Sequence, residues 1–336
     1  MRSLRALPAL AAALLAAAPA AAQRAAAFTD TAAHRVLRVG VAPGVKLEVL
    51  DWGGSGPALV FLAGFGNTGH VFDTFAPRFT NAFRVVTLTR RGLGASDRPD
   101  PGPYDGATLA ADVKAVLDTL GIARASLAGW SFGGTEISFF AVAYPERTDR
   151  LVYLDAYCGS CGGTAARNQP AYRPPGPPLT ARDTLTPRGM AGYQRRTVGF
   201  SFPEAELRAI TRYGEDGSVT SPVPAFVWDA LGRGVPHPGY GHIRAPALGI
   251  FAERSRVEQE FWWWRGMSAA ERTLAQVYVD AATQNRRAAQ DEFVHGIPNA
   301  RAEVIEGAHH AIFLSHPDRV EQLMRAFLLA PADSAR

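Results

Sequence analysis

The sequence predicts an α/β protein built on a doubly wound, mostly parallel β-sheet. Short apolar runs alternate with amphipathic segments over most of the chain, as in successive βαβ units. The runs "ALVFLAG" and "ASLAG" are almost continuously apolar, which is typical of strands buried on both faces. A stretch rich in proline and glycine interrupts the alternation after residue 156, and it predicts a cap or lid insertion.

The first predicted elements are a hairpin and two βα units. "RVLRVGV" and "VKLEVLDWG" read as strands on either side of an "APG" turn. The strand "ALVFLAG" precedes a short helix in "HVFDTFAPRF", and "FRVVTLT" precedes the glycine-rich loop "RRGLGASDRP". The next helix has one apolar stripe and ends at Gly121; the stripe consists of Leu109, Val113, Val116, Leu117 and Leu120.

The remaining elements place the cap between two parts of the core. "ASLAG", a helix in "TEISFFAVAYPER" and the strand "RLVYLD" complete the first part, residues 35–160. The cap is predicted over 161–240. The second part, 241–336, contains the strand "APALGIFA", a helical stretch over about 257–293, the strand "ARAEVIEG" and a closing helix in "DRVEQLMRAFLLA".

The N-terminal residues have the pattern of a secretory signal peptide. Arg2 and Arg5 precede an Ala/Leu run that is shorter than a membrane-spanning helix, and small residues precede Gln23. We therefore predict a signal peptide over 1–22, a leader over 23–34, and an exported protein that is periplasmic or secreted and has no stable membrane span.

Composition excludes several other classes of protein. The 336 residues are 47% hydrophobic and 20% charged, as in ordinary globular proteins. The net charge of +4 comes from scattered arginines rather than a basic block, which argues against nucleic-acid binding. The glycine clusters lack the residues of a phosphate loop or a dinucleotide fingerprint, so no cofactor is implied.

Cys158 and Cys161 form the pair "CGSC". Because a zinc site normally takes four ligands and there is no second cysteine pair, the sequence predicts no metal site. In an exported protein the pair favours a short-loop disulfide, with free thiols as the alternative.

Ser131 lies in Gly129-Trp130-Ser131-Phe132-Gly133, which fits the pattern G-x-S-x-G. The pattern falls between a predicted strand and a predicted helix, where a sharp turn presents a serine hydroxyl at the top of a sheet. Glycines two positions away on each side make room for that turn. The sequence thus predicts a nucleophile, and the alternative is a serine that only caps the helix.

Several motifs together resemble the α/β-hydrolase superfamily over roughly residues 36–160 and 245–330. They are the glycine-rich loop after Ala63, "RRGLGASDRP", the serine motif and "GAHHAIFLSHP". The resemblance implies that the general base is His310, which lies three residues after Gly307 and seven before Pro317. His309 is the alternative base.

The acid that orients the base has two candidate positions. In most of the superfamily it follows the strand "ALGIFA", where this chain has Glu253 but Ser255 stands in the usual place of an aspartate. Some members carry the acid after the preceding strand, which here ends at Asp155. A carboxylate at the end of a buried strand needs a partner. We predict Asp155 as the acid and retain Glu253 as the alternative.

The oxyanion of an acyl-transfer reaction needs backbone N–H donors. The residue after the nucleophile, Phe132, supplies one in related proteins, and the loop Ala63-Gly64-Phe65-Gly66 is in the position of the second donor. The resemblance therefore implies the N–H groups of Phe65 and Phe132.

The function that follows is a serine hydrolase of the carboxylesterase type acting on a small-molecule ester. An amidase or aminopeptidase, a C–C hydrolase, an acyltransferase and a perhydrolase share the mechanism, and a non-catalytic binding protein is the alternative of another class. Aromatic residues of the cap line the substrate pocket or form the cap's own core; they are Phe200, Phe202, Phe226 and Trp228. We also expect the run Phe261–Trp264 to pack on the core and His70 to lie at the pocket mouth.

Overall fold

The computed structural model describes residues 28–157, 172–233 and 238–331. The predicted signal peptide over 1–22, the cysteine pair Cys158 and Cys161, and part of the predicted cap lie outside these ranges. Among the described residues, those from Ala32 onward form one compact unit.

Ten β-strands are found in the described part of the chain. They are β1 (Arg35–Ala42), β2 (Val45–Gly53), β3 (Ala58–Leu62), β4 (Arg84–Thr89), β5 (Ala125–Trp130), β6 (Thr148–Leu154), β7 (Arg212–Tyr213), β8 (Val219–Thr220), β9 (Ala247–Glu253) and β10 (Ala300–Glu306). Eight form one sheet in the order β1-β2-β4-β3-β5-β6-β9-β10. In this sheet β2 pairs antiparallel with β1 and β4, and the other five pairs are parallel, which confirms the predicted fold class.

Ten α-helices accompany these strands within the same residues. They are α1 (Gly106–Thr119), α2 (Phe132–Ala143), α3 (Ala181–Thr184), α4 (Pro187–Val198), α5 (Glu204–Ile210), α6 (Ala225–Gly232), α7 (Val257–Glu260), α8 (Ala269–Gly296), α9 (Ile312–Ser315) and α10 (Pro317–Leu328). "HVFDTFAPRF" forms two short 3-10 turns, Gly69–Phe72 and Ala76–Phe79, instead of one helix.

The central strands lie where their composition predicts. Every residue of β3 and β5 is buried. The predicted stripe of α1 is buried at Leu109, Val113, Val116 and Leu117, and Gly121 follows the helix with φ of 66°. Two apolar clusters that share these strands form the core. The carboxyl ends of β3, β5, β6 and β9 therefore lie on a rigid base at one edge of the sheet.

The described part of the cap is more helical than its composition predicts. α3, α4, α5 and α6 lie between residues 181 and 232, joined by the short hairpin of β7 and β8. Prolines precede or begin three of these helices, since Pro187 is the first residue of α4 and Pro203 and Pro224 directly precede α5 and α6. Proline suits a helix start, where its missing N–H leaves no bond unmade.

Candidate active site

Ser131 lies at the tight turn between β5 and α2. Its backbone has φ of 53° and ψ of −120°, a conformation that costs a non-glycine residue about 1–3 kcal/mol and needs strong support. The support is backbone hydrogen bonding, since the Ser131 N–H donates to Leu154 O at 3.2 Å and Ser131 O accepts from Gly134 N at 2.9 Å. The turn therefore joins the nucleophile candidate to the end of β6.

The two flanking glycines are required by the close approach of backbone to backbone. A Cβ atom at Gly129 would lie 2.3 Å from the carbonyl oxygen of Gly133. A Cβ atom at Gly133 would lie 2.3 Å from the carbonyl oxygen of Leu62 at the end of β3. Any larger residue would push α2 away from the sheet, so the G-x-S-x-G spacing has a steric cause in this chain.

His310 and Asp155 are in direct contact although 155 positions separate them in the chain. His310 Nδ1 lies 2.7 Å from Asp155 Oδ2. The imidazole is partly open to solvent, while the carboxylate is buried. The indole N–H of Trp130 donates to the carbonyl oxygen of His310 at 2.9 Å, which attaches the His310 loop to the residue before Ser131. The predicted nucleophile, base and acid thus share one edge of the sheet.

The Ser131 hydroxyl makes no hydrogen bond with the His310 imidazole among the described residues. Contacts between a nucleophile and its base are often long in a ligand-free site and shorten when substrate binds.

Asp155 is held in place by hydrogen bonds with β9 and with Tyr157. It follows β6 with φ of 45°, and its N–H donates to Ile250 O at 2.8 Å. Its Oδ1 atom accepts from the Ala252 N–H at 2.9 Å and from the Tyr157 hydroxyl at 3.0 Å. These bonds leave Oδ2 for His310 and compensate for burial of the charge. Tyr157 was not singled out by the sequence, because its role depends on this neighbour.

Glu253 is engaged elsewhere. Its carboxylate pairs with Arg287 at 2.5 Å, and no described contact joins it to His310. The two acid candidates therefore differ in the structure, because Asp155 contacts the base candidate and Glu253 does not.

His309 has surroundings that do not suit a general base. Burial, followed by the positive charges of Arg254 and His310, lowers its pKa to about 3. Its Nδ1 atom accepts weakly from the Ala311 N–H at 3.4 Å, and its ring packs against Phe200 with centroids 5.0 Å apart. The contact with Asp155 belongs to His310 alone of the two adjacent histidines.

The loop Ala63–Gly66, here called the oxyanion loop, faces the start of α2. The rings of Phe65 and Phe132 have centroids 5.8 Å apart. Among the described residues, neither the Phe65 N–H nor the Phe132 N–H donates to an acceptor. Phe132 is the first residue of α2, where an N–H has no partner within the helix. Two backbone donors are thus available close to Ser131.

Arg90 connects the oxyanion loop to α2. Its guanidinium donates to Gly64 O at 2.7 Å and to Ala63 O, and it pairs with Glu136 of α2 at 2.6 Å. Its Cζ atom also lies 4.9 Å from the centre of the Phe132 ring. Arg90 is 6% exposed and Glu136 2% exposed, so the pair is shielded from solvent. The motif "RRGLGASDRP" contained this residue, but nothing in the sequence indicated its partner.

Replacing Arg90 by methionine is expected to lower the free energy of unfolding by about 3–5 kcal/mol. The substitution leaves the Glu136 carboxylate buried without a counter-charge, which is more costly than the pair itself is stabilising. Urea unfolding of both proteins measures the difference.

Adding Glu136→Gln to Arg90→Met is expected to recover part of the loss. A matched control is Arg208→Met, because the side chains of Arg208 and its partner Glu204 are 43% and 46% exposed; it should cost under about 1 kcal/mol. An Arg90→Met protein as stable as wild type would contradict this account.

Glu206 joins the cap to the segment that follows the oxyanion loop. It belongs to α5 and is fully buried. Its carboxyl group accepts from the Asn67 side chain at 2.8 Å, from the Thr68 N–H at 3.2 Å, and from the Thr68 hydroxyl. Burial raises the pKa of Glu206 to about 7 although these donors and the charge of His70 oppose the shift. The sequence did not predict this contact.

The pKa of Glu206 predicts a pH-dependent stability. The pKa of Glu206 in the folded protein lies above the ordinary 4.5. Between about pH 4.5 and 7 its carboxyl group is therefore protonated in the folded protein and ionised in the unfolded chain. The contribution to stability is fully present below pH 4.5 and is lost as pH rises through 7. Relative to wild type, Glu206→Gln should therefore gain up to about 3 kcal/mol between pH 5 and pH 8, measured by thermal unfolding. The control Glu204→Gln, on the exposed face of the same helix, should change stability by under about 1 kcal/mol at either pH. An equal difference between wild type and Glu206→Gln at both pH values would show that the proton is not held.

Two cavities flank the candidate site. One has a volume of about 400 Å³ and lies beside the oxyanion loop, with Phe65, Phe202 and Trp228 in its wall. The other, of about 420 Å³, lies against the loop that carries His309, with Phe200, Trp262 and Trp263 in its wall. Of the four aromatic residues predicted in the cap, three thus line a cavity, while Phe226 packs in an apolar cluster with Val227 and Leu231.

The run Phe261–Trp264 does not continue a helix. α7 ends at Glu260, and the long helix α8 begins only at Ala269. Phe261 is fully buried, and Trp263 and Trp264 pack partly against it. Trp262 is 41% exposed, so the expectation that the run packs on the core is wrong for this residue. The break in the helix turns neighbouring rings in different directions.

His70, which is predicted at the pocket mouth, is not part of the wall of either of these two cavities. It is buried, with Nδ1 3.3 Å from Asp73 and Nε2 3.6 Å from Glu48. Burial alone would lower its pKa, but the two carboxylates outweigh this and raise it to about 10. Asp30, His34, His70 and Asp73 offer ligand atoms within 4.8 Å of one another. Because both nitrogens of His70 face carboxylates, the arrangement is better suited to a protonated imidazole than to a metal ion.

No helix in the described part of the chain is both long enough and apolar enough to cross a membrane.

A model of the alpha/beta hydrolase family matches residues 59–323. Since this match includes most of the chain, together with the serine motif and the histidine loop, the chain belongs to the alpha/beta hydrolase family.

Individual relatives are similar over much of the chain. Polyketide synthase ThaQ of Burkholderia thailandensis is 30% identical over 298 residues, which are 85% of this chain but 12% of that synthase. Pimeloyl-[acyl-carrier protein] methyl ester esterase of Aeromonas hydrophila is 26% identical over 279 residues, 82% of this chain and 96% of the esterase. The crystal structure of E-2-(acetamidomethylene)succinate hydrolase has a TM-score of 0.60 and 21% identity, covering 88% of this chain and all of that chain. The last comparison shows the fold alone.

Proposed function

We propose that this protein is a serine hydrolase that cleaves a carboxylic ester through an acyl-enzyme. The observation that carries the proposal is the 2.7 Å contact of His310 Nδ1 with the buried Asp155 carboxylate, at the same sheet edge as a serine in a strained turn with positive φ. A carboxylate at Nδ1 holds the proton on that nitrogen and leaves Nε2 as the base.

In the first half of the reaction, His310 Nε2 accepts the hydroxyl proton of Ser131 while Oγ bonds to the ester carbonyl carbon. The N–H groups of Phe65 and Phe132 donate to the oxyanion that forms. His310 then returns its proton to the alkoxy oxygen. The bond between that oxygen and the carbonyl carbon breaks, an alcohol leaves, and Ser131 remains acylated.

In the second half, water takes the place of the alcohol. His310 accepts a proton from water as its oxygen bonds to the acyl carbon. The tetrahedral intermediate collapses, the proton passes to Ser131 Oγ, and the carboxylic acid leaves. Asp155 stabilises the imidazolium in both halves and does not itself take up the proton.

The residue at the turn between β5 and α2 distinguishes a serine hydrolase from two other activities found among the relatives. Fluoroacetate dehalogenase and soluble epoxide hydrolase each align with about a third of the chain. The resemblance to the α/β-hydrolase superfamily implies that such enzymes attack with a carboxylate at this position. Here the residue is Ser131. One relative whose length is almost completely covered is a methyl ester esterase, which supports the choice of an ester bond.

A fluorophosphonate probe tests the proposal directly, because it reacts with serines that a neighbouring base activates. We expect a rapid adduct on Ser131, located by peptide mass spectrometry, and none with Ser131→Ala. A folded protein that gains no adduct would overturn the proposal and favour a binding protein on a hydrolase scaffold. If the adduct forms, turnover of a panel of esters, amides and thioesters by the unlabelled protein then establishes which bond is cleaved.

A further inference from the structure

The cavity of about 420 Å³ lies against the loop that carries His310. Gly307 and His309 of that loop form one wall, and Trp262 and Trp263 contribute aromatic surface. Arg173 and Arg254 bring two guanidinium groups to the same cavity. This partly open space next to the base candidate has room for a part of the substrate that lies away from the scissile bond.

The charges around this cavity do not balance. Glu260 is its acidic residue, with a side chain only 5% exposed. It lies 2.6 Å from Arg254, 3.6 Å from Arg173 and 3.8 Å from Arg286. Three guanidinium groups therefore share one carboxylate. The buried Nε of Arg286 has no acceptor among the described residues, so the cluster holds more donors than acceptors.

Both arginines that line the cavity are fixed by their surroundings. Arg254 donates from Nε to Glu260 and from Nη1 to Ala308 O at 3.0 Å. Arg173 stacks on aromatic rings, with its Cζ atom 5.3 Å from the centre of Phe261 and 5.8 Å from that of Tyr278. Its side chain is still 50% exposed, so part of the guanidinium can reach a ligand. Guanidinium groups that are already positioned lose less entropy when they bind an anion.

A neighbouring histidine responds to the same excess of positive charge. Burial is the main reason that the pKa of His309 is low. The charges of Arg254, His310 and Arg173 each lower it further, while the charge of Asp155 opposes them. His309 is therefore neutral at ordinary pH and adds no charge of its own to the cavity.

We propose that this cavity binds a carboxylate carried by the substrate, so that the preferred esters have a second, anionic end. This inference rests on the proposed function for its reference to a substrate, while the anion site itself stands on the cavity and its charges. A guanidinium matches the planar shape of a carboxylate. A monoanion fits better than a dianionic phosphate, because Glu260 remains beside the site and repels each added negative charge.

Two measurements test the site. The first is kcat/KM for matched p-nitrophenyl esters, the neutral butyrate and the carboxylate-bearing hemisuccinate. We expect wild type to prefer the charged ester, and Arg173→Gln to lower the ratio of charged to neutral kcat/KM by about tenfold, as for loss of one charge-assisted hydrogen bond. The matched control is Arg287→Gln, which removes a positive charge outside the cavity, from a side chain that is 62% exposed, and should leave the ratio unchanged. An equal ratio in wild type and Arg173→Gln, or an equal fall in Arg287→Gln, would overturn the proposal.

The second measurement does not depend on catalysis. We expect hexanoate to bind wild type more tightly than the neutral hexanamide, by calorimetry, and to lose about tenfold in affinity in Arg173→Gln. Equal affinity for the two ligands would refute the anion site even in an active hydrolase. Preferential hexanoate binding by a protein that resists the fluorophosphonate probe would support the anion site and refute only the hydrolase.

Discussion

Replacing Ser131 by alanine is expected to lower kcat for ester hydrolysis by about 10⁴- to 10⁶-fold. The variant lacks the oxygen that forms the acyl-enzyme, and the oxyanion donors and substrate binding account for the activity that remains. Alanine retains the Cβ atom, and the two hydrogen bonds that support the turn are made by the backbone of Ser131. The fold should therefore survive. Steady-state kinetics with p-nitrophenyl butyrate measures the loss, and circular dichroism checks the fold.

The same variant separates a hydrolase from a binding protein. If the protein is a hydrolase, Ser131→Ala is expected to lose turnover and to keep its affinity for a substrate analogue, because the hydroxyl contributes mainly to the transition state. A binding protein is expected to keep its affinity and to show no turnover that depends on Ser131. Turnover within tenfold of wild type would exclude Ser131 as the nucleophile.

Asp155→Asn is expected to lower kcat by about 10⁴-fold. The amide can still accept from the Ala252 N–H and the Tyr157 hydroxyl, but a nitrogen facing His310 would donate to Nδ1 and stabilise the wrong tautomer. Asparagine also tolerates the φ of 45° at this position, so the turn should keep its shape. Kinetics and thermal unfolding of the same preparation distinguish lost chemistry from lost structure.

The second acid candidate provides the matched control. Glu253 lies on β9, the strand next to β6, and its described side-chain partner is Arg287. Glu253→Gln removes this carboxylate. We expect its kcat to remain within about threefold of wild type. A loss as large as that of Asp155→Asn would move the role of the acid to Glu253.

Local patterns were sufficient for the sheet and the serine turn. β3 and β5 are buried along their whole length, as their continuous apolar runs indicate. The positions two residues before and after Ser131 must be glycine, because a Cβ atom at Gly129 or Gly133 would collide with nearby backbone atoms. The burial of the strands follows from composition. The collision at Gly129 involves Gly133, four residues on, while that at Gly133 involves Leu62 of β3. The five-residue spacing is nevertheless local, and this is why the sequence predicts the turn.

The cap and the aromatic run show where local patterns fail. Proline in a sequence indicates a break, yet Pro187 begins α4, and Pro203 precedes α5. Whether a proline breaks an element or begins a helix depends on whether the residues that follow it can pack against a surface. The same holds for Trp262, whose exposure follows from the end of α7 rather than from its own apolar character.

The sequence by itself determined the α/β sheet, the strained serine between two glycines, and the preference for His310 over His309. Only the tertiary structure decided which carboxylate meets that histidine, because Asp155 and His310 are 155 positions apart and meet through parallel strands that end at one edge. It also decided that Arg90 joins the oxyanion loop to α2, that Glu206 carries the cap's contact, and that Arg173, Arg254 and Glu260 share a cavity. Each of these depends on distance in space, which residue spacing along the chain does not encode.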